Sequence, residues 1–233
     1  AAATFLVRQF FATPDAVTPM QLTIENRTRG TEPPVELSLD AAVGALRRAT
    51  GMFAAMVPMM QGELIEKGQA KNTFKTDIGD PTSTSGGVPG GNAVTARFAI
   101  GPDEALLVEV LPPTPCAYWD VQVGNGWYES FDYRHRFSGL TCDAAHLHDD
   151  GAVTLVLAPR DPGVVNWLET AGHREGHLAI RWQLTDGHLP LPSTRIVPLT
   201  DVAATTGLPV VTPAARARQR ARLADSFATR FLP

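Results

Sequence analysis

The chain has 233 residues, 44% of them hydrophobic and 19% charged, with a formal net charge of −4. That content can bury a sizeable core, in one large domain or two small ones. The weakly acidic balance excludes the broad basic field that nucleic-acid binding requires, so no nucleic-acid partner is expected.

The first residues, AAATFLVRQFF, lack the basic-then-apolar order of a secretory signal, and no apolar run approaches the roughly 18 residues needed to cross a bilayer. The expectation is a soluble, cytoplasmic protein without a membrane partner. Phe5, Leu6, Phe10 and Phe11 read as the end of a helix whose beginning is absent, which leaves a removed segment open. Met20, Leu22 and Ile24 alternate on one face of a short predicted strand, which the polar stretch NRTRGTEPP then breaks.

A helix is predicted next. Ser38 is placed as N-cap, Asp40 lies in the first turn, and Leu39, Val43, Leu46, Phe53, Val57, Met60 and Leu64 recur at helical spacing through Glu66. Pro58 is expected to kink or divide it, and Met52, Met56, Met59 and Met60 are expected to fill core. From Asn72 to Asn92 the composition turns to Thr, Ser, Gly, Pro and Asp. This is a long loop, without the Gly-Lys-Ser/Thr and following helix that a phosphate cradle needs.

Beyond it the period becomes two. Strands are predicted at Val94 to Ile100, Ala105 to Leu111, Tyr118 to Val123, Tyr128 to Tyr133, Ala152 to Leu157 and Leu178 to Leu184, with a hairpin turn at Asp150-Gly151. TRIVPLTDV reads as an edge segment interrupted by Pro198, and Pro213 opens a helix carrying Arg216, Arg218, Arg220, Arg222 and Arg230. Leu223, Phe227 and Phe231 are expected to dock that helix and leave its arginines in water. The fold class is therefore mainly β, an antiparallel β-sandwich of jelly-roll type with flanking α-helices. Residues 1–71 form an N-terminal strand and amphipathic helix packing on the sandwich, 72–200 the sandwich core, and 201–233 the arginine-bearing helix.

Three stretches carry a resemblance: YWDVQVGNGWYESFDYRHR at Tyr118 to Arg136, HDDGAVTLVLAPRDPGVVNWLETAGH at His148 to His173, and RWQL at Arg181 to Leu184. Together they resemble the bacterial family catalogued as domain of unknown function 1214, over most of the chain. The resemblance implies a β-rich sandwich with helical additions, often within longer proteins that have an extra N-terminal region, and implies no activity. Family-type positions include Trp119, Trp127, Glu129, Asp132, Tyr133, Asp150, Gly151, Asp161, Pro162, Gly163, Asn166, Trp167, Gly172 and His173. His146 and His148 stand outside that pattern.

Several chemistries fail on the residues. His146 and His148 share a strand face as a metal pair would, but Asp149, Asp150 and Gly151 turn the chain at once, where a cupin-type site needs a nearby Glu. His173-Arg174-Glu175-Gly176-His177 has the wrong order for a zinc-protease helix, so no metal site and no cofactor are expected. Ser130 has no nucleophile elbow. Cys116 and Cys142 lack activating neighbours and zinc-type spacing, and read as small buried residues.

What remains is aromatic and acidic. Trp119, Trp127, Tyr133 and Trp167 with Glu129, Asp132 and Asn166 form a candidate ligand-binding set, because ring faces take the C–H patches of a sugar while polar groups orient it. Asp161 and His173 are the candidate acid/base pair, with Arg160 steadying negative charge. The site is expected beneath the 158–177 loop, with the Gly-rich residues 79–92 as a cover. The partner is a small molecule, saccharide being one class, and homo-oligomer formation stays open. The competing reading is a noncatalytic assembly module, in which the same residues hold turns and subunit contacts.

Overall fold

The computed structural model describes residues 7, 9–11, 18, 20–25, 38–61, 70–77, 91–185 and 189–231, the side chains of 58–61, 91–92 and 228–231 excepted. Two compact units are distinguished, one from Thr18 to Gly68 and one comprising Ala1–Val17 with Gln69–Pro233.

In the first unit, α1 runs Leu39–Gln61. Ser38 caps it as the sequence predicts: its Oγ accepts from the Ala41 amide at 3.2 Å. The helix continues through Pro58 without division. Met52 and Met56 are exposed rather than core, as are Leu39, Leu46, Phe53 and Val57. Residues 20–25 are exposed and form no strand, in place of the strand predicted there. Residues 9–11 are not helical.

The larger unit is mainly β. Its strands are β1 Phe74–Asp77, β2 Gly91–Ala99, β3 Glu104–Val110, β4 Tyr118–Gly124, β5 Gly139–Thr141, β6 Val153–Ala158, β7 Trp167–Glu169, β8 Glu175–Gln183 and β9 Ser193–Pro198. They form two open sheets, ordered β1-β2-β8-β4-β5 and β7-β6-β3-β9. Every pairing is antiparallel except β6 with β7. Two helices follow: the short α2 Val202–Thr206, which ends on left-handed Gly207, and the longer α3 Pro213–Phe231. The arginine-bearing helix thus opens at Pro213 as read, and β9 ends at Pro198 on a sheet edge, where a missing N–H is tolerated.

Alternation puts one face of each sheet into a shared core. Val94, Phe98, Trp119, Val121, Ile180 and Trp182 come from the larger sheet, and Leu106, Val108, Leu155, Leu157 and Leu168 from the smaller. Each such aliphatic or aromatic side chain contributes about 1.5–3 kcal/mol by leaving water. β6 is buried along its whole length, because its other face meets a second cluster containing Leu107, Val156, Val197, Val202 and Leu208. A strand covered on both sides reads as a continuous apolar run, as VTLVLA does.

Two predicted elements differ. Residues 128–133 form no strand but lie in a loop touching β4 through one isolated bridge, Gly124 with Ser130. The Asp150-Gly151 turn exists, with Gly151 at φ +82°, yet it leads from a loop into β6 rather than joining two paired strands. The anticipated cover at 79–92 falls outside the described residues apart from its last two, which begin β2. Among the described residues no helix is long and apolar enough to cross a membrane.

Candidate functional site

The motif after β6 has a backbone task. Adjacent parallel strands usually need a connection of about a dozen residues or more, and here residues 159–166 alone join β6 to β7. Asp161 Oδ1 accepts from the Gly163 amide at 2.9 Å, which tightens the turn. Gly163 and Asn166 both take left-handed backbone, at φ +74° and +56°.

Asn166 is also buried. Its Nδ2 donates to the carbonyls of His146 at 2.7 Å and Thr154 at 3.0 Å, while its Oδ1 accepts from the His146 amide at 2.8 Å. Asn166→Ala is expected to lower unfolding free energy by about 2 kcal/mol, because three backbone groups, one of them fully buried, lose their partner and Ala tolerates left-handed backbone poorly. Chemical denaturation would measure it, and a loss below about 0.5 kcal/mol would show that these bonds are replaced.

Other residues of this stretch are engaged too. Trp167 is 5% exposed, and its Nε1 donates to the Ala158 carbonyl at 3.2 Å. Arg160 pairs with Asp103 on the surface. Asp161 meets Arg216 of α3 in a two-point contact, Nε to Oδ2 at 2.9 Å and Nη2 to Oδ1 at 3.1 Å. The guanidinium carbon of Arg216 lies 5.1 Å from the Trp167 ring and 5.3 Å from Phe137, and Nη2 also donates to the Val164 carbonyl at 2.5 Å. Glu169 is held by Arg136 and, at 3.3 Å, by Arg220. Arginines thus help dock α3 rather than only facing water. Their spacing with the two apolar residues, 216, 220, 223 and 227, is one helix face, a pattern already present in the sequence.

His173 belongs elsewhere. It stacks on Phe131 with ring centroids 4.8 Å apart, so Asp161, Arg160 and His173 each have a different partner. Phe131 sits in a second cluster of candidate residues, the loop 125–136 between β4 and β5. Asn125 organises it: Oδ1 accepts from the amides of Trp127 at 2.9 Å and Glu129 at 3.1 Å, and Nδ2 donates to Glu129 Oε2 at 2.5 Å. The loop leaves the Trp127 indole 58% exposed and Tyr133 43% exposed, the latter against Phe227 of α3. Asp132 accepts from His135 Nδ1 at 3.0 Å, a contact that holds its carboxyl below the usual carboxylate range.

Of the predicted ligand-binding set, Trp127, Glu129, Asp132 and Tyr133 therefore share one loop. Trp119 is core, in register opposite Trp182, and Asn166 and Trp167 are buried beside α3's docking face. His146 and His148 lie in the loop before β6 rather than on a strand, with rings 6.4 Å apart and His148 Nε2 2.8 Å from Thr154 Oγ1. Among the described residues no group of three or more His, Cys, Asp or Glu is arranged for a metal ion. Cys116 and Cys142 are free thiols, and burial pushes that of Cys142 up.

Two features lie outside the predicted site set. Asp120, on the outer face of the larger sheet, has its carboxyl pushed up by burial against the opposing pull of Arg181. His177 stacks on Tyr128 with centroids 4.0 Å apart and planes 5° apart. The sequence signal for His177 was its spacing from His173, which suggests a metal motif and conceals an aromatic one.

No protein-family model matches the chain, and no curated protein does. Solved structures similar to parts of it include the following two. The crystal structure of an uncharacterised protein from Burkholderia cenocepacia is 36% identical, with a TM-score of 0.50, over 55% of this chain and 35% of that one. The VPA0106 protein from Vibrio parahaemolyticus is 16% identical, with a TM-score of 0.39, over 49% of this chain and 33% of that one. The matched part thus spans about a third of the length of either structure.

Proposed function

We propose that the chain presents a binding site for a hydroxylated small molecule, of which a saccharide is one class, on the 125–136 loop. The observation that carries this reading is an indole face in water on a loop fixed by Asn125, with the carboxylates of Glu129 and Asp132 in the same loop. A flat apolar face beside fixed acceptors suits a sugar ring, whose C–H patch and hydroxyls alternate. The turn after β7 meets this loop where His173 stacks on Phe131. The sandwich of jelly-roll type and the relation to domain of unknown function 1214 belong to the same proposal, supported by the shared core and by the DPGVVNWLETAGH motif.

A second reading has its own observation. Asp161, Asn166, Trp167 and Glu169 are all engaged within the chain, as expected of a noncatalytic module whose loops hold turns and assembly contacts.

Titration with D-glucose, D-galactose and D-mannose, followed by tryptophan emission, separates the two. The other three tryptophans are buried, so a saturable change abolished by Trp127→Ala is the expected result. No response to any of the three, together with a stable oligomer in light scattering, would favour the module.

A further inference from the structure

We propose that His177 is a ligand-facing hydrogen-bond acceptor, its Nε2 lone pair reserved for a donor such as a sugar hydroxyl; the inference rests on the site reading above and deepens it. His177 is 8% exposed, and its Nδ1 lies 2.9 Å from the Asn125 carbonyl oxygen. A carbonyl can only accept, so Nδ1 carries the hydrogen and Nε2 carries none. Among the described residues no protein group bonds Nε2. Nε2 is not among the buried side-chain atoms left unpaired, so this edge of the ring is reached by solvent, where a ligand hydroxyl can take the place of water.

The surroundings hold this ring in place by three separate means. A Cβ on Gly124 would lie 2.3 Å from His177 Cε1, so the ring occupies space that only glycine leaves. Tyr128 takes left-handed backbone, φ +64°, and its ring stacks flat on the imidazole. Such strain in a bulky residue marks a position fixed by its surroundings and is concentrated at functional sites. Asn125 spans both clusters, since its side chain ties Trp127 and Glu129 while its carbonyl orients His177. The exposed indole and the open nitrogen are thereby built on one residue.

Burial favours the neutral imidazole. In register, His177 is flanked by Gly124 on β4 and Arg97 on β2, with Glu175 and Arg181 on the same face of β8. Burial is the main cause that lowers its pKa below the usual 6.5; the Asn125 carbonyl opposes and the Arg181 charge adds to the lowering. A neutral ring accepts from hydroxyls, whereas an imidazolium could only donate.

The test uses the whole chain. Long-range proton–nitrogen correlation on histidine-labelled protein should show His177 in the Nδ1–H form, assigned by its loss in His177→Gln. Diethyl pyrocarbonate, which acylates unprotonated imidazole, should modify His177 in the native protein and continue to do so below pH 6.5, where free histidine slows about tenfold per pH unit. Stability linked to this group is full above pH 6.5 and lost as the pH falls through the lowered folded value, a slope that His177→Gln removes.

An Nε2–H form, or native protein inert to the reagent at His177, overturns the proposal. So does a sugar that perturbs Trp127 emission yet leaves the acylation rate unchanged, where a several-fold slowing is expected. If none of the three sugars binds while His177 is reactive and in the Nδ1–H form, the saccharide reading fails and the acceptor assignment stands.

Discussion

Arg216→Ala is expected to lower unfolding free energy by about 3 kcal/mol, because it leaves Asp161, the Val164 carbonyl and two aromatic faces without their common partner. The guanidinium is one of the few charged groups the fold buries, with a side chain only 10% exposed. Asp161 is 34% exposed, so water screens part of the pair and the loss stays nearer the lower end of the range for breaking a buried ion pair. For a chain of this size the cost corresponds to roughly 6–12 °C in unfolding midpoint. Arg216→Lys should recover little, since an ammonium cannot meet both carboxylate oxygens and the Val164 carbonyl while lying flat on Trp167. Differential scanning calorimetry of both variants is the check. A midpoint within about 2 °C of the parent for Arg216→Ala would mean that α3 is not held by this contact.

Gly176→Ala is expected to be at least as damaging, at about 3 kcal/mol or more, for a steric reason. The added Cβ would lie 2.2 Å from the Gly124 carbonyl oxygen and 2.6 Å from the Phe98 ring. Neither neighbour can give way cheaply, because Gly124 is part of the β4–β8 ladder and Phe98 is fully buried. Gly172→Ala provides the contrast. There φ is +83° but nothing lies within 4 Å of the new Cβ, so only the backbone penalty applies, about 1 kcal/mol. Equilibrium denaturation of the pair should rank Gly176→Ala well below Gly172→Ala in stability. Equal losses would show that β4 and β8 can separate locally at this point.

Gly124 and Gly176 show where sequence reading stops. VGNGWYES reads as turn followed by strand because alternation is judged one segment at a time, and the segment 128–133 alternates well enough. The backbone there is instead drawn into a loop by Asn125 and by the close approach of β4 to β8 at Gly124 and Gly176, which are 52 positions apart. Long-range proximity of that kind has no local signature. The α3 face is a different case: Arg216, Arg220, Leu223 and Phe227 share one side of the helix in the sequence itself, but assigning arginines to water by default hides it.

The candidate site divides in the same way. DPGVVNW was legible as a concentration of turn formers and polar groups, and those groups do have local tasks: Asp161 tightens a turn, Gly163 and Asn166 supply left-handed backbone. What the letters did not contain was the partner of each. Asp161 faces an arginine of α3, His173 a phenylalanine of the β4–β5 loop, and Trp127, the one tryptophan left in water, sits where the chain bends away from the sheet.

By itself the sequence determined the β-rich class, the positions of β2, β3, β4, β6 and β8, the Ser38 cap and the Pro213 helix start, all of which follow from periodicity and backbone preference within a few residues. Only the tertiary structure decided the sheet order, the parallel β6–β7 pair and which aromatic and charged residues are spent on the fold. Burial and pairing depend on what arrives from distant parts of the chain, and that arrangement is fixed by the shared core of the two sheets rather than by any short segment.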